Sequence, residues 1–261
     1  GEFQVASYTA PSAFSPVVTA DHAGVFVVAW ASDGSKDGDT SLTSIQARRF
    51  HADGSALGKQ FQEKNPGTTV TFSFGASSAL ATQITQGAPA DVFASASQKN
   101  MDAVVVAKAA AGSTPFTQNV MEIAVPPSNP ANITQLSDLA KPGVKVALCQ
   151  AEVPCGTVAA KVFANAKLTV TPVTEEADVK ATLAKVTLGE VDAGVVYVTD
   201  VLAAGDKVKG IEIPADVNAS TTYPIAPLTA SKNAALAKAF VDYVLSADGV
   251  KVLTGAGFLA P

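Results

Sequence analysis

The sequence predicts an α/β protein: short parallel strands covered by helices, with a β-rich segment in front. Three observations lead there. From residue 59 onward, short apolar β-branched runs alternate with Ala-rich stretches of helical length, the pattern of a parallel sheet with helices on both faces. Residues 1–57 have another texture, with aromatic and β-branched runs separated by Gly/Asp turns, which reads as all-β. Finally, 48% of the 261 residues are hydrophobic and 16% charged. That is ample for a core, at a length that suits one two-lobed body or two domains.

In chain order, SPVV, GVFVVAW and TSIQARRF are expected to be strands, with turns at DHAG, SDGSKDGD and HADGS. TTVTFSF (68–74) is a strand, followed by a helix over 77–87 that stops at Gly87. ADVFASA (90–96) is a strand and 97–112 a helix. NVMEIAVPP (119–127) is a strand, 134–143 a short helix, VKVALCQ (144–150) a strand and 155–166 a helix. Residues 177–190 read as helix, AGVVYVT (193–199) as strand, and 231–258 as terminal helices. Ligands in such folds sit beyond the C-terminal ends of strands, on helix N-termini.

Composition removes several functions. Net charge is 18 − 23 = −5 without a Lys/Arg cluster, which argues against nucleic acid as a partner. No apolar run reaches the roughly 18 residues of a membrane helix. The N-terminus shows no basic start before an apolar stretch, so any export signal is expected to have been removed or to be missing from this chain. With two His (His22, His51) and two Cys (Cys149, Cys155), a four-ligand zinc site is hard to build. Both His lie in the first 51 residues, and no G-x-S-x-G elbow, phosphate-binding P-loop or G-x-G-x-x-G is present. Binding without catalysis, cofactor or resident metal is the expectation.

Residues 59–261, about three quarters of the chain, resemble the molybdate-binding proteins that deliver substrate to ABC transporters. The resemblance is carried by NPGTTVTFSFGASSALATQITQGAPADVFASASQKNMD (65–102), CQAEVPCGTVAAKVF (149–163), EEADVKATLAKVTLGEVDAGVVYVTDVL (175–202) and YPIAPL (223–228). It implies a two-lobed periplasmic-binding-protein type II fold with parallel-sheet lobes and the oxyanion in the cleft. Crossover strands are expected near Asn119–Pro126 and Tyr223–Leu228. Lobe one would comprise 58–126 and 223–261, and lobe two 127–222. The implied partners are molybdate or tungstate and an ABC transporter permease. The implied setting is periplasmic or extracellular, with a lipid anchor compatible with the class, and the implied state is a monomer.

A tetrahedral dianion needs donors, which helix starts provide. Ser77 opens a helix, where an ordinary N-cap is the plain reading; in the resembling family this position binds oxyanion. Cys155 opens the next helix, and its backbone N–H is the implied ligand, with Gly156 permitting close approach. Val179 starts the helix at ADV, again as a backbone donor, where core packing is the plain alternative. Tyr197 near a strand end matches the family's phenol donor, the alternative being a core Tyr. A cleft of donors without a carboxylate would reject phosphate, whose proton would meet no acceptor, at a cost of about 1–3 kcal/mol. Cys149 and Cys155, six apart, read as a disulfide in an exported protein, worth roughly 2 kcal/mol.

One part departs from the family. The expected first strand and its Ser-bearing ligand loop are not found ahead of LGKQFQEKNPG (57–67). Residues 1–57 instead resemble one unit of a bacterial surface-protein β repeat, giving the look of a chimera. Two substitutes present themselves. VFVVAWAS (25–32) is apolar enough for a central strand and would offer Ser32; SIQARRF (44–50) would offer Arg49 but is polar for that place. Rival functions are binding of sulfate, phosphate or Fe³⁺, although the four tyrosines are not adjacent as in iron binders of related fold, or surface adhesion with a degraded cleft.

Overall fold

The computed structural model describes residues 25–30 and 55–261, and it is a mixed α/β structure of two lobes. Strand β1 (Val25–Trp30) lies between β2 (Thr69–Phe74) and β3 (Val92–Ala94), parallel to both, with Val28 opposite Phe72 on one side and Val92 on the other. An unbroken VFVVAW run suits a strand with two hydrogen-bonded neighbours. Antiparallel partners follow: β3 pairs with β9 (Ser220–Pro227), and β9 with β4 (Thr114–Val125). Strand β4 changes partners along its 12 residues. Its first part, to Val120, pairs with β9. From Met121 it pairs with β7 (Ala193–Tyr197) and β8 (Lys209–Glu212). Beyond β7 lie β5 (Val146–Cys149) and β6 (Thr174–Glu176), both parallel. The order is β2-β1-β3-β9-β4-β7-β5-β6.

The helices are α1 (Ser55–Lys64), α2 (Ser77–Thr85), α3 (Gln98–Val106), α4 (Pro154–Asn165), α5 (Val179–Thr187), α6 (Val198–Ala204), α7 (Ala234–Leu245) and α8 (Ala247–Gly255). They divide the buried apolar side chains into clusters with no shared member. Leu57, Phe61, Phe116, Tyr223, Phe240 and Phe258 belong to one, and Leu80, Ile84, Phe93, Met101 and Val104 to a second on the same sheet half. The third runs from Met121 to Ile213. The first two make lobe one, the third lobe two.

Several expectations shift. HADGS does not end in a turn: Ser55 starts α1, and Leu57 and Phe61, one turn apart, are both buried. The Phe61 ring meets Phe240 edge-on at 5.2 Å. Tyr243 donates its phenol proton to Gln60 Oε1 at 2.7 Å, and Lys64 pairs with Asp248. Strand β4 begins five residues before Asn119, because its polar TPFTQ start, bulged between Pro115 and Thr117, lacks strand patterning. Strands β6 and β8 are short and charged or polar enough to escape notice, and the seven-residue helix α6 starts at Val198, inside the run read as strand to Thr199. Among the described residues the sheet is parallel only at β1–β2, β1–β3, β5–β6 and β5–β7; both long strands run antiparallel to their neighbours. The repeat-like reading of residues 1–57 gains no support: β1 is a lobe-one strand and α1 a lobe-one helix. The other elements expected there, with Ser32 and Arg49, lie outside the described residues.

Removing the Phe61 ring should show that α1 is integral to lobe one. Phe61→Ala is expected to cost about 3–5 kcal/mol of unfolding free energy, the range for a buried aromatic truncated to Ala. Chemical denaturation checks it, and a loss below about 1 kcal/mol would make α1 an appendage.

Candidate functional site

The four residues singled out in the sequence, Ser77, Cys155, Val179 and Tyr197, all line one cavity of about 30 Å³ between the lobes. Lobe one contributes Gly75, Ala76, Ser77, Ala96 and Tyr223; lobe two contributes Val153, Pro154, Cys155, Asp178, Val179 and Tyr197. The starts of α2, α4 and α5 therefore converge on one point from two lobes, and each brings backbone N–H groups without a helical acceptor. Their partial positive charge makes the cavity suited to an anion.

Ser77 is fully buried and is the first residue of α2; Ala76 holds the N-cap place, so the plain capping alternative does not describe Ser77. Its Oγ accepts from the backbone N–H of Ala96 at 2.9 Å. That bond fixes the rotamer and leaves the hydroxyl proton to be donated. Cys155 is the second residue of α4, after Pro154. Pro supplies no N–H, which leaves Cys155 and Gly156 as the first-turn donors, since Thr157 N–H already donates to Val153 O at 3.0 Å. Gly156 has a different task from the one expected. A Cβ there would lie 2.0 Å from the Gln150 carbonyl oxygen, so Gly lets α4 sit against the end of β5, not against a ligand. The Cys149–Cys155 disulfide is present, with Cα atoms 5.8 Å apart, and clamps the same junction.

Val179 is buried at the first position of α5. The preceding Asp178 caps the helix, its Oδ1 accepting from Ala181 N–H at 2.9 Å. Asp178 itself is a lining residue, which puts an acidic residue at a cleft expected to carry none. ADV before a helix is an N-cap signal in the sequence that points to Asp178 as well as to Val179. Tyr197 ends β7, is 3% exposed, and its ring meets Tyr223 at 6.3 Å in a tilted edge contact. Tyr223 and Ala96 are lining residues that the sequence did not single out. Close by, Asn119 Nδ2 donates to Thr199 Oγ1 at 2.8 Å, tying β4 to α6 in the buried back of the cleft. Among the described residues no group of three or more His, Cys, Asp or Glu is placed to hold a metal ion.

Asp200 sits behind Tyr197, and its Oδ2 accepts the Tyr197 N–H at 2.9 Å. Burial pushes its carboxyl up to about 7, with Asp178 adding to the rise and the Tyr197 N–H and Lys180 opposing it. The folded state thus holds a proton that the unfolded chain has released above pH of about 4. Stability from this group is full below the unfolded value and falls as pH rises from about 4 to about 7. Asp200→Asn keeps an acceptor for Tyr197 N–H and cannot titrate. Its unfolding free energy should lose that downward slope relative to the unsubstituted chain, as urea titrations at pH 4.5, 6 and 7.5 would show; parallel pH profiles would refute it.

Residues 47–259 match the family of bacterial extracellular solute-binding proteins. The chain is 40% identical over 229 residues to molybdate-binding proteins of Mycobacterium tuberculosis and Mycobacterium bovis, covering 87% of this chain and 88% of theirs. A substrate-binding lipoprotein of Bacillus subtilis, described as a putative ABC transporter component, is 33% identical over 77% of this chain and 80% of its own. Among solved structures, the substrate-binding domain of a putative molybdenum ABC transporter from Clostridium difficile superposes with a TM-score of 0.64 at 27% identity, over 91% of this chain and 99% of that one. The Azotobacter vinelandii periplasmic molybdate-binding protein, at 21% identity and a TM-score of 0.69, over 79% of this chain and 94% of that one, shows the same fold. The match from residue 47 reaches ahead of the change of texture near residue 58, and it gives no footing to a chimera. This chain belongs to the bacterial extracellular solute-binding proteins.

Proposed function

We propose that this protein captures molybdate or tungstate in the cleft between its lobes and presents it to an ABC importer. The observation that carries this reading is the convergence of Ser77, the first turns of α4 and α5, and Tyr197 on one interlobe cavity. The 40% identity to mycobacterial molybdate-binding proteins supports the choice of anion. In this reading the lobes divide at 58–126 with 223–261, and at 127–222. The protein does no chemistry and needs no cofactor. It works outside the cytoplasm as a monomer, free or lipid-anchored, and the closed lobes are what a permease recognises. Ser77 Oγ, the Cys155 and Val179 amides and the Tyr197 phenol donate to the oxygens of the anion. A dianion held by uncharged donors is bound through hydrogen bonds to charged oxygens, each worth about 1.5–3 kcal/mol.

Asp178 supports a second reading, a protonated oxyanion such as hydrogen phosphate, because an acidic residue stands at the cavity wall. A thermal-shift series separates the two. Molybdate and tungstate at 100 times Kd should stabilise by about 2.7 kcal/mol, with Ser77→Ala and Tyr197→Phe each weakening binding by about 1.5–3 kcal/mol. Shifts with phosphate equal to those with molybdate would favour the second reading.

The first ligand loop of the family is proposed to be supplied from beyond β1. Trp30 pairs with Phe74 and Ala94, whose chains run directly into the cavity lining at Gly75 and Ala96. Ser32 follows Trp30 by two residues in the sequence, which makes it the residue to test first. Ser32→Ala should weaken molybdate binding by about 1.5–3 kcal/mol in a calorimetric titration. A silent substitution, with Ser77→Ala still effective, would remove Ser32 from the site and leave Arg49 as the residue to test.

A further inference from the structure

We propose that Lys180 and Phe74 form a latch across the mouth of the cleft that sets how long the bound anion is retained. This rests on the reading that the lobes close over an oxyanion. The Lys180 Nζ stands 5.6 Å from the centroid of the Phe74 ring. Phe74 ends β2 on lobe one, immediately before Gly75–Ala76–Ser77; Lys180 follows Val179 in the first turn of α5 on lobe two. Each partner is thus the neighbour of a ligand segment on its own lobe, and the contact exists only while the two segments face each other.

The ring is a prepared platform. Phe72 and Phe74 are stacked at 5.8 Å with planes 8° apart, and Phe72 is backed by α1, where a Cβ on Gly58 would fall 2.6 Å from its ring. Lys180 has an acid nearby, since its charge acts on Asp200. Even so, among the described residues it makes no ion pair, and its ammonium is placed over the aromatic face. A half-buried ammonium over a ring is attracted by the negative face of the π system. Because the contact belongs to the closed state, its loss acts on release and leaves encounter nearly unchanged.

Release of radiolabelled molybdate from the full chain, chased with unlabelled molybdate, tests this with Lys180→Gln, Phe74→Leu, the double variant and Phe74→Tyr. Each of the first two should release about 2- to 5-fold faster, the size of a partly exposed cation–π contact. The double should be no faster than the faster single, and Phe74→Tyr, which keeps a ring, should release at the original rate. Phe74→Leu keeps the lysine charge, so wild-type release from it would overturn the latch. So would effects that multiply in the double variant, since Lys180 would then act on the anion directly. If the unsubstituted chain binds no oxyanion, the function reading fails instead. The latch is then read by small-angle scattering of the ligand-free chain: a larger radius of gyration in the double variant sustains it, and an unchanged one overturns it.

Discussion

The antiparallel pairing of β4 with β9 is the constraint on which the rest depends. From Thr117 opposite Tyr223 to Val120 opposite Ser220, these strands form the bridge between the two sheet halves. At Met121, β4 leaves β9 and takes β7 and β8 as neighbours. One strand therefore belongs to both lobes, and the cleft lies where the partners change. Tyr223 on β9 and Tyr197 at the end of β7 meet there as an aromatic floor. Asn218 reinforces the junction, accepting from Met121 N–H and donating to Met121 O. A pair of strands flexes with little loss of hydrogen bonding, so lobes joined this way can move as bodies around a fixed floor.

The electrostatics of the site follow from what the sequence leaves out. The four residues proposed to hold the anion bring no cation of their own, so its charge is met by backbone dipoles, a hydroxyl and a phenol. Such groups cost little to bury because each is also a fixed part of a helix start or strand end, and each is positioned before the ligand arrives. The acids nearby are arranged accordingly. Asp178 is spent on capping α5, and Asp200, deep behind Tyr197, is pushed toward its neutral form by burial. Asp200 therefore presents little negative charge to the anion at mildly acidic pH.

The sequence was most legible where periodicity was strong. Val25–Trp30, apolar throughout, is the better of two candidates for the missing central strand, and it lies between β2 and β3. The helices opening at Ser77, Cys155 and Val179 were marked by strand–turn–helix junctions, and all three reach the same cavity. What stayed hidden has physical causes. The first five residues of β4 hold one apolar core side chain, Phe116, among Thr114, Pro115, Thr117 and Gln118, so no alternation marks them as strand. Gly156 looked like an opening for a ligand, yet the atoms it must avoid belong to Gln150, a tertiary approach that no local pattern encodes. The acidic wall at Asp178 was disguised as a capping residue, which it also is. Ala96 enters through long-range bonds, its N–H donating to Ser77 nineteen residues away and its carbonyl accepting from Thr221, which no local pattern encodes.

Lobe two is drawn from one continuous stretch, whereas lobe one needs α1 and its early strands to meet β9, α7 and Phe258 across the whole of that stretch. This has a consequence for the order in which the molecule assembles. Contacts of short sequence separation form first because their loop-closure entropy is small. Lobe two can complete its core while lobe one is still missing half of its own. The finished lobe two then holds Val120 and Ser220 at their adjacent positions, turning a closure of about a hundred residues into the docking of two nearby strands. The inserted lobe thus acts as a template for the lobe that surrounds it, and the cleft is formed last.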